Sequence, residues 1–282
     1  MSKNINLIAA SKNKNDEFYT RLEDIKKELQ YYKNYFENKI VFLNCDDPEK
    51  SKFWKYFTRN FNHLGLKKLI STHFDSKKST YKLEMIKENK IIKTSLKQNG
   101  DFRSPECIEV LKECDIVVTN PPFSLFREYI SLLTQHKKEF LIIGNMNAIT
   151  YKGVFPLIKE NKVWLGITAP KIFIQPCKTE KKFGNICWFT NLKHNKRNIK
   201  LKFGCKYNPD KYPKYDNYDA INVDKTINIP EDYDGYMGVP ISFLAKYNPE
   251  QFEIVRFRKG NNNKDLSING KDKYFRIIIK RN

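Results

Sequence analysis

Between residues 40 and 145 the chain repeats one pattern: a short apolar run, a polar turn, then an amphipathic stripe. The runs "KIVFL", "KKLIST", "DIVVT" and "EFLIIGN" have the length of buried strands and are too short for buried helices. The stripes between them recur at helical spacing, with Phe53, Trp54, Phe57, Phe61 and Leu64 in one, and Leu125, Phe126, Tyr129, Ile130, Leu132 and Leu133 in another. Strands alternating with helices in this way predict an α/β fold with a parallel, doubly wound sheet, whose ligands bind at the carboxyl ends of the strands. The strand-end turns "NCDDP", "THFD", "GDFRSP" and "NPPF" are therefore the candidate sites.

The flanking segments extend the pattern. Thr20 and Glu23 have capping-box spacing, and Leu22, Ile25, Leu29, Tyr32 and Phe36 continue as an apolar stripe, which predicts a helix over about 21–37. Asp47 and Pro48 fit the N-cap and first turn of the next helix, Ser104 and Pro105 the start of a short one, and "KIIKTSL" reads as a further strand. Beyond about residue 160 come short strands such as "KVWLGI" and "NICWFTNL", separated by polar stretches, with linkers expected at "KHNKRN" and "NKDLSINGKDK". The expected domains are a core over residues 1–192 and a smaller basic region over 193–282 that partly returns to it.

One turn carries chemistry in its residue types. In "DIVVTNPPFS" two prolines fix φ and remove two backbone donors, so Asn120 is held against a stiff corner followed by Phe123. The turn resembles the catalytic motif of methyltransferases acting on planar amino nitrogens, and adenine's exocyclic amino nitrogen is a poor nucleophile of that kind, because its lone pair is delocalised into the ring. An enzyme that alkylates it must accept hydrogen bonds from its hydrogens and favour a tetrahedral nitrogen. The Asn120 side-chain oxygen and the Pro121 carbonyl are acceptors of that kind, Pro122 stiffens the turn, and Phe123 offers a face on which a base can stack. No metal and no strong base is required.

Bulk properties bound the partners. With 52 Lys and Arg against 32 Asp and Glu, the net charge of +20 makes a polyanion the first partner to consider. Six cysteines without a C-x-x-C pair, and no apolar stretch of membrane-spanning length, point to a reduced cytoplasmic protein without a disulfide framework or metal site.

Asn-Pro-Pro-Phe between strand and helix resembles the catalytic motif of S-adenosylmethionine-dependent methyltransferases acting on planar amino or amide nitrogens. From "NDEFYTRLEDI" through "VFLNCDDPEKSKFWKYF", "ISTHFD" and "FLIIGNMNAITYK" to "YMGVPISFLAKYNPEQFEI" the chain resembles the EcoRI-type adenine-specific DNA methyltransferases. The resemblance implies a Rossmann-like class I methyltransferase sheet, seven-stranded and mostly parallel. It also implies S-adenosyl-L-methionine as cofactor and double-stranded DNA as partner, with a restriction endonuclease of the same site as a further partner left open. Carried over, Phe18, Tyr19 and Thr20 match the amino-terminal cofactor motif. Asn44, Cys45, Asp46 and Asp47 lie where the family contacts the methionine part, Phe74 and Asp75 where ribose and adenine are held, and Asp101 and Phe102 beside the cofactor adenine. The first of these turns lacks the usual glycines, a departure that the EcoRI-type group shares.

Target recognition is expected between 193 and 215. There Lys193, Lys196, Arg197, Lys200, Lys202, Lys206, Lys211 and Lys214 interleave with Tyr207, Tyr212 and Tyr215, cations for phosphates and rings for bases. The basic tail from Arg256 offers a second phosphate-binding surface. The expected activity is transfer of methyl to N6 of a flipped adenine. A ribosomal RNA adenine or protein glutamine methyltransferase would use the same motif, and a catalytically silent DNA-binding relative would keep the fold.

Overall fold

The computed structural model describes residues 18–45, 47–75, 80–175 and 177–282. The described chain divides into two compact units, one of residues up to 154 with 165–192, the other of 155–164 with 193–282.

The first unit is built on an eight-stranded sheet. At its centre lie β2 (Ile40–Leu43), β3 (Lys68–Thr72), β6 (Ile116–Thr119) and β7 (Glu139–Asn145), with β2 parallel to both β3 and β6, and β6 parallel to β7. All four residues of β2 and of β6 are buried, as continuous apolar runs require when helices cover both faces. Outside them the direction changes: β4 (Tyr81–Ile86) runs antiparallel to β3, β5 (Lys90–Ser95) antiparallel to β4, and β11 (Ile186–Thr190) antiparallel to β7. The short β8 (Trp164–Leu165) completes the edge beyond β11.

The sheet is therefore mixed and eight-stranded, where the strand and helix alternation predicts a parallel sheet and the resemblance implies a mostly parallel, seven-stranded one. For β4 and β5 connection length is the reason. A parallel neighbour needs a crossover of a dozen or more residues, whereas β4 and β5 are joined only by the tight turn Lys87–Asn89, in which Glu88 takes a left-handed φ of 65°.

Helix ends also differ from expectation. Helix α1 is Leu22–Leu29, with Arg21 at its N-cap, because the Thr20 backbone is committed to β1 (Tyr19–Thr20) and pairs with Phe173. A 3-10 turn at Lys33–Tyr35 replaces the rest of the expected helix and still buries Tyr32 and Phe36. Helix α2 (Lys52–Arg59) is capped not by Asp47 but by Ser51, whose Oγ accepts from Phe53 N at 3.1 Å; the Asp47 carbonyl instead closes a turn onto Ser51 N at 2.7 Å. Ser104 caps α3 (Pro105–Glu113), and α4 (Phe126–Gln135) follows the Pro-Pro turn, each as expected.

A second, three-stranded sheet pairs β1 with β9 (Ile172–Ile174) and β9 with β10 (Glu180–Lys182). Glu28 on α1 fixes the segment leading into it. This fully buried carboxylate accepts from Ile167 N at 2.8 Å, Thr168 N at 2.6 Å, Thr168 Oγ1 at 2.5 Å and Tyr32 Oη at 3.1 Å. Burial pushes its pKa up, against the pull of those four donors.

In the second unit, α5 (Phe155–Lys159) accompanies a five-stranded sheet ordered β12 (Lys214–Tyr215), β13 (Tyr218–Asn222), β14 (Met237–Pro240), β18 (Arg276–Arg281) and β15 (Phe252–Phe257). The stretch "NKDLSINGKDK" is not a linker: it forms the hairpin of β16 (Ser267–Ile268) and β17 (Lys271–Asp272), anchored by a buried Leu266.

Replacing Glu28 by Ala strands two half-buried backbone donors and leaves a cavity at a fully buried position. Urea unfolding of Glu28→Ala is expected to show a loss of about 3 kcal/mol, with the m-value unchanged.

Candidate active site

The parallel strands deliver their turns to one edge of the sheet, and hydrogen bonds across long sequence distances knit those turns together. Asn120, at the end of β6, is 8% exposed and donates through Nδ2 to the Phe18 carbonyl at 2.5 Å. A carbonyl can only accept, so this bond identifies the amide's donor end and turns Oδ1 away from it. Pro121 is buried beside it, and the Pro122 carbonyl accepts from Leu125 N at 3.0 Å, opening the single turn that leads into α4. The prolines thus hold the acceptor end of Asn120 in one place.

Aromatic rings surround the corner. The half-buried Phe123 stacks on Phe18 at 6.2 Å between centroids and 24° between planes, and Phe183 meets both edge-on, at 4.9 Å from Phe18 and 6.3 Å from Phe123. Phe173 on β9 closes the cluster, 5.6 Å from Phe183. Phe183 stands in "KKFGN", which shows no apolar periodicity and gave no sequence signal; only the pairing of β10 with β9 brings it here.

The end of β2 is joined to the same edge by Tyr129. This fully buried tyrosine on α4 donates its hydroxyl to Asn44 Oδ1, and burial, reinforced by the nearby Cys45, raises its pKa well above the ordinary range. A tyrosine in a buried helical stripe needs a partner for its hydroxyl, the one sequence signal that could have singled it out. Asn44 Nδ2 and Thr20 Oγ1 are buried and have no hydrogen-bond partner among the described residues. Buried polar atoms of this kind mark a place where a polar ligand fits.

Two more turns converge beside them. Gly100 adopts φ +72°, and a Cβ there would lie 2.0 Å from the His73 carbonyl oxygen, so glycine is what lets the turn before α3 lie against the end of β3. Asp75 N then donates to the Asn99 carbonyl at 3.2 Å. Phe74 is 52% exposed, whereas Phe102 is buried edge-on against Tyr129 at 5.0 Å. Asp101 receives Arg103 through Nε and Nη2, both at 2.8 Å, and Arg103 reaches on to Glu128 at 2.9 Å. Burial would raise the Asp101 carboxyl, but the Arg103 guanidinium outweighs it and the net shift is downward. Tyr19 is half-buried in β1, Cys45 half-buried at the end of β2, and Asp47 pairs with Lys50 at 3.2 Å. Asp46 lies outside the described residues.

This edge gathers an aromatic cluster, two buried polar atoms and the Asn120 amide around the strand-end turns. Residues 6–282 match the family described as adenine-specific methyltransferase EcoRI. The chain belongs to this family. It is 51% identical to the Type II methyltransferase M.EcoRI of Escherichia coli, over 96% of this chain and 94% of that protein. It is 43% identical to the Type II methyltransferase M.MgeORF184P of Mycoplasma genitalium and 39% identical to M.MpnI of Mycoplasma pneumoniae, each over 96% of this chain and 97% of the relative. No solved structure matches it significantly.

This member of the EcoRI methyltransferase family divides its basic 193–215 segment between surface and interior. Lys193, Lys200, Lys202, Lys206, Lys211 and Lys214 are exposed and Lys196 is half-buried. Arg197 packs its guanidinium over Trp164 at 4.0 Å and donates to Asn161 at 2.7 Å. Tyr212 and Tyr215 are buried, their hydroxyls bonded to the Asn228 carbonyl at 2.9 Å and Asn222 Oδ1 at 2.8 Å, so their rings are core rather than faces open to bases. Tyr207 is half-buried, with its ring 4.6 Å from that of Tyr233. Interleaved Lys and Tyr are legible as a pattern; which side of the chain each faces depends on strand pairing that the pattern does not encode.

Because Asp101 is held below its ordinary pKa, the stabilisation from its pairing is present above about pH 4 and is lost as pH falls through the folded-state value. Acid unfolding of Asp101→Asn followed by circular dichroism should show a flatter limb below that pH than wild type.

Proposed function

We propose that the protein transfers a methyl group from S-adenosyl-L-methionine to N6 of an adenine flipped out of double-stranded DNA. The observation that carries this is the rigid Asn120 amide, its nitrogen tied to the Phe18 carbonyl and its oxygen presented at the Pro-Pro corner beside the Phe123 ring. Membership of a family described as adenine-specific supports adenine over a glutamine side chain as the acceptor. The charge of +20, with exposed lysines in the second unit, supports a nucleic acid substrate.

We read the seven strands from β4 to β8, mixed in direction around a parallel centre, as the class I methyltransferase core, with β5 added at the edge. The residues present fit the cofactor. Asn44 Nδ2 and Thr20 Oγ1 are buried donors awaiting a polar ligand; Phe18, Tyr19, Cys45 and Asp47 would complete the methionine end, and Phe74, Asp75, Asp101 and Phe102 the adenosine end. When bound, S-adenosylmethionine supplies a methyl group made electrophilic by its positively charged sulfur. The chain's own residues do the rest. Asn120 Oδ1 and the Pro121 carbonyl accept the two amino hydrogens, drawing the nitrogen lone pair out of conjugation and toward the methyl. Phe123 holds the base plane, and the buried corner keeps water from competing for those acceptors. The methylated nitrogen would lose its surplus proton to solvent, while Asn120 Oδ1 and the Pro121 carbonyl act only as hydrogen-bond acceptors. The relatives' Type II designation supports a restriction-modification role in the cytoplasm, in which an endonuclease of the same site would be the partner.

Radiolabelled methyl transfer to duplex DNA tests this directly. Asn120→Ala should lose at least about 100-fold in kcat while binding S-adenosylmethionine as tightly as wild type by calorimetry. Equal rates for variant and wild type would remove Asn120 from the chemistry.

A further inference from the structure

The three-stranded sheet has two unlike faces. Its register sets Thr20 opposite Phe173 and Phe173 opposite Lys181, so those three side chains share one face. The two-residue period of extended chain adds Phe18 and Phe183 to it. This is the face whose rings meet Phe123. Glu180 alternates to the other side, where its charge acts on Arg21.

Lys181 is thus a cation placed among the rings of the site. Its Nζ lies 5.1 Å from the Phe18 centroid and 5.3 Å from that of Phe183. Among the described residues no carboxylate pairs with it. A lysine built only to stabilise a surface strand gains from an acidic partner across the pair, and here that position holds Phe173 instead. An ammonium resting on ring faces, with no charged partner, is weakly held and remains able to move to a stronger, charged acceptor.

Resting on the base-flipping reaction proposed above, we propose that Lys181 is the residue that holds the backbone phosphate of the flipped nucleotide. A base lying on Phe123 carries its own phosphate outward along the rim on which Lys181 stands. The four-carbon stem lets the ammonium leave the rings of Phe18 and Phe183 and neutralise that phosphate, while the vacated ring faces stay covered by the incoming nucleotide. Lys181 would then bind the extrahelical state in preference to the stacked one, and so shift the flipping equilibrium without touching the amino group. In this role it is a positioning residue, distinct from Asn120.

The test uses the full-length protein and a duplex bearing the methylated site found by sequencing DNA from an expressing host, with 2-aminopurine at the target position. For wild type, fluorescence rises on binding as the base leaves the stack, and log affinity falls linearly with log salt. Lys181→Gln should weaken binding roughly tenfold at low salt, lower the salt slope by about one, and reduce the fluorescence rise. Its affinity for S-adenosylmethionine and its melting temperature should be unchanged, and Lys181→Arg should restore both slope and fluorescence. A Lys181→Gln variant with the wild-type slope and fluorescence overturns the inference alone, as does one whose only defect is in cofactor binding or stability. A wild-type protein that neither binds nor flips the duplex overturns the proposed reaction and this inference together.

Discussion

One hydrogen bond ties this site into a closed circuit: Asn120 Nδ2 to the carbonyl of Phe18, 102 residues away along the chain. It can form only if Phe18 is held in place, and β1 does that by pairing with β9. The segment entering β9 is fixed in turn by Glu28, on the helix that β1 itself begins. Each link depends on the others, so the acceptor oxygen is fixed by tertiary structure and not by the local turn alone. A loosened amide could rotate and exchange the places of its nitrogen and oxygen.

The same logic ties the turn after β2 to the Pro-Pro corner. Tyr129 lies one helix beyond the Pro-Pro corner yet bonds Asn44 at the end of the first central strand. Movement of either turn is felt at the other through a buried side chain with no slack around it. Gly100 makes the third connection, bringing the turn before α3 against the end of β3. Three contacts, none between sequence neighbours, keep the strand-end turns in register.

Much of this was legible in the sequence wherever a local pattern fixes the outcome. Continuous apolar runs such as Ile116–Thr119 became central strands, Ser104 with Pro105 started a helix, and Asn-Pro-Pro-Phe landed at a strand end. The failures share a cause. Thr20 has capping chemistry but its backbone was claimed by a strand pair 153 positions away in sequence, and Asp47 lost its cap position to Ser51 because the turn runs on by one more hydrogen bond. The alternation in "YKLEMI" went unread because its polar half looks like a loop, although the hairpin it forms reverses the sheet's direction. Phe183 and Lys181 carry no motif at all; their place follows from register, which a single sequence does not display.

The second unit is not appended to the first in a single stroke. Residues 155–164 leave the first unit early, and Phe155 packs its ring 5.3 Å from Phe257, a residue synthesised about 100 positions later. During translation that short segment emerges long before the strands it belongs with, so it must wait uncovered until the carboxyl-terminal sheet exists. One crossover between relatives near residue 192 would then pair a foreign sheet with the host's 155–164. Exchange of the whole second unit therefore takes two coordinated crossovers, because its two stretches of chain flank residues 165–192.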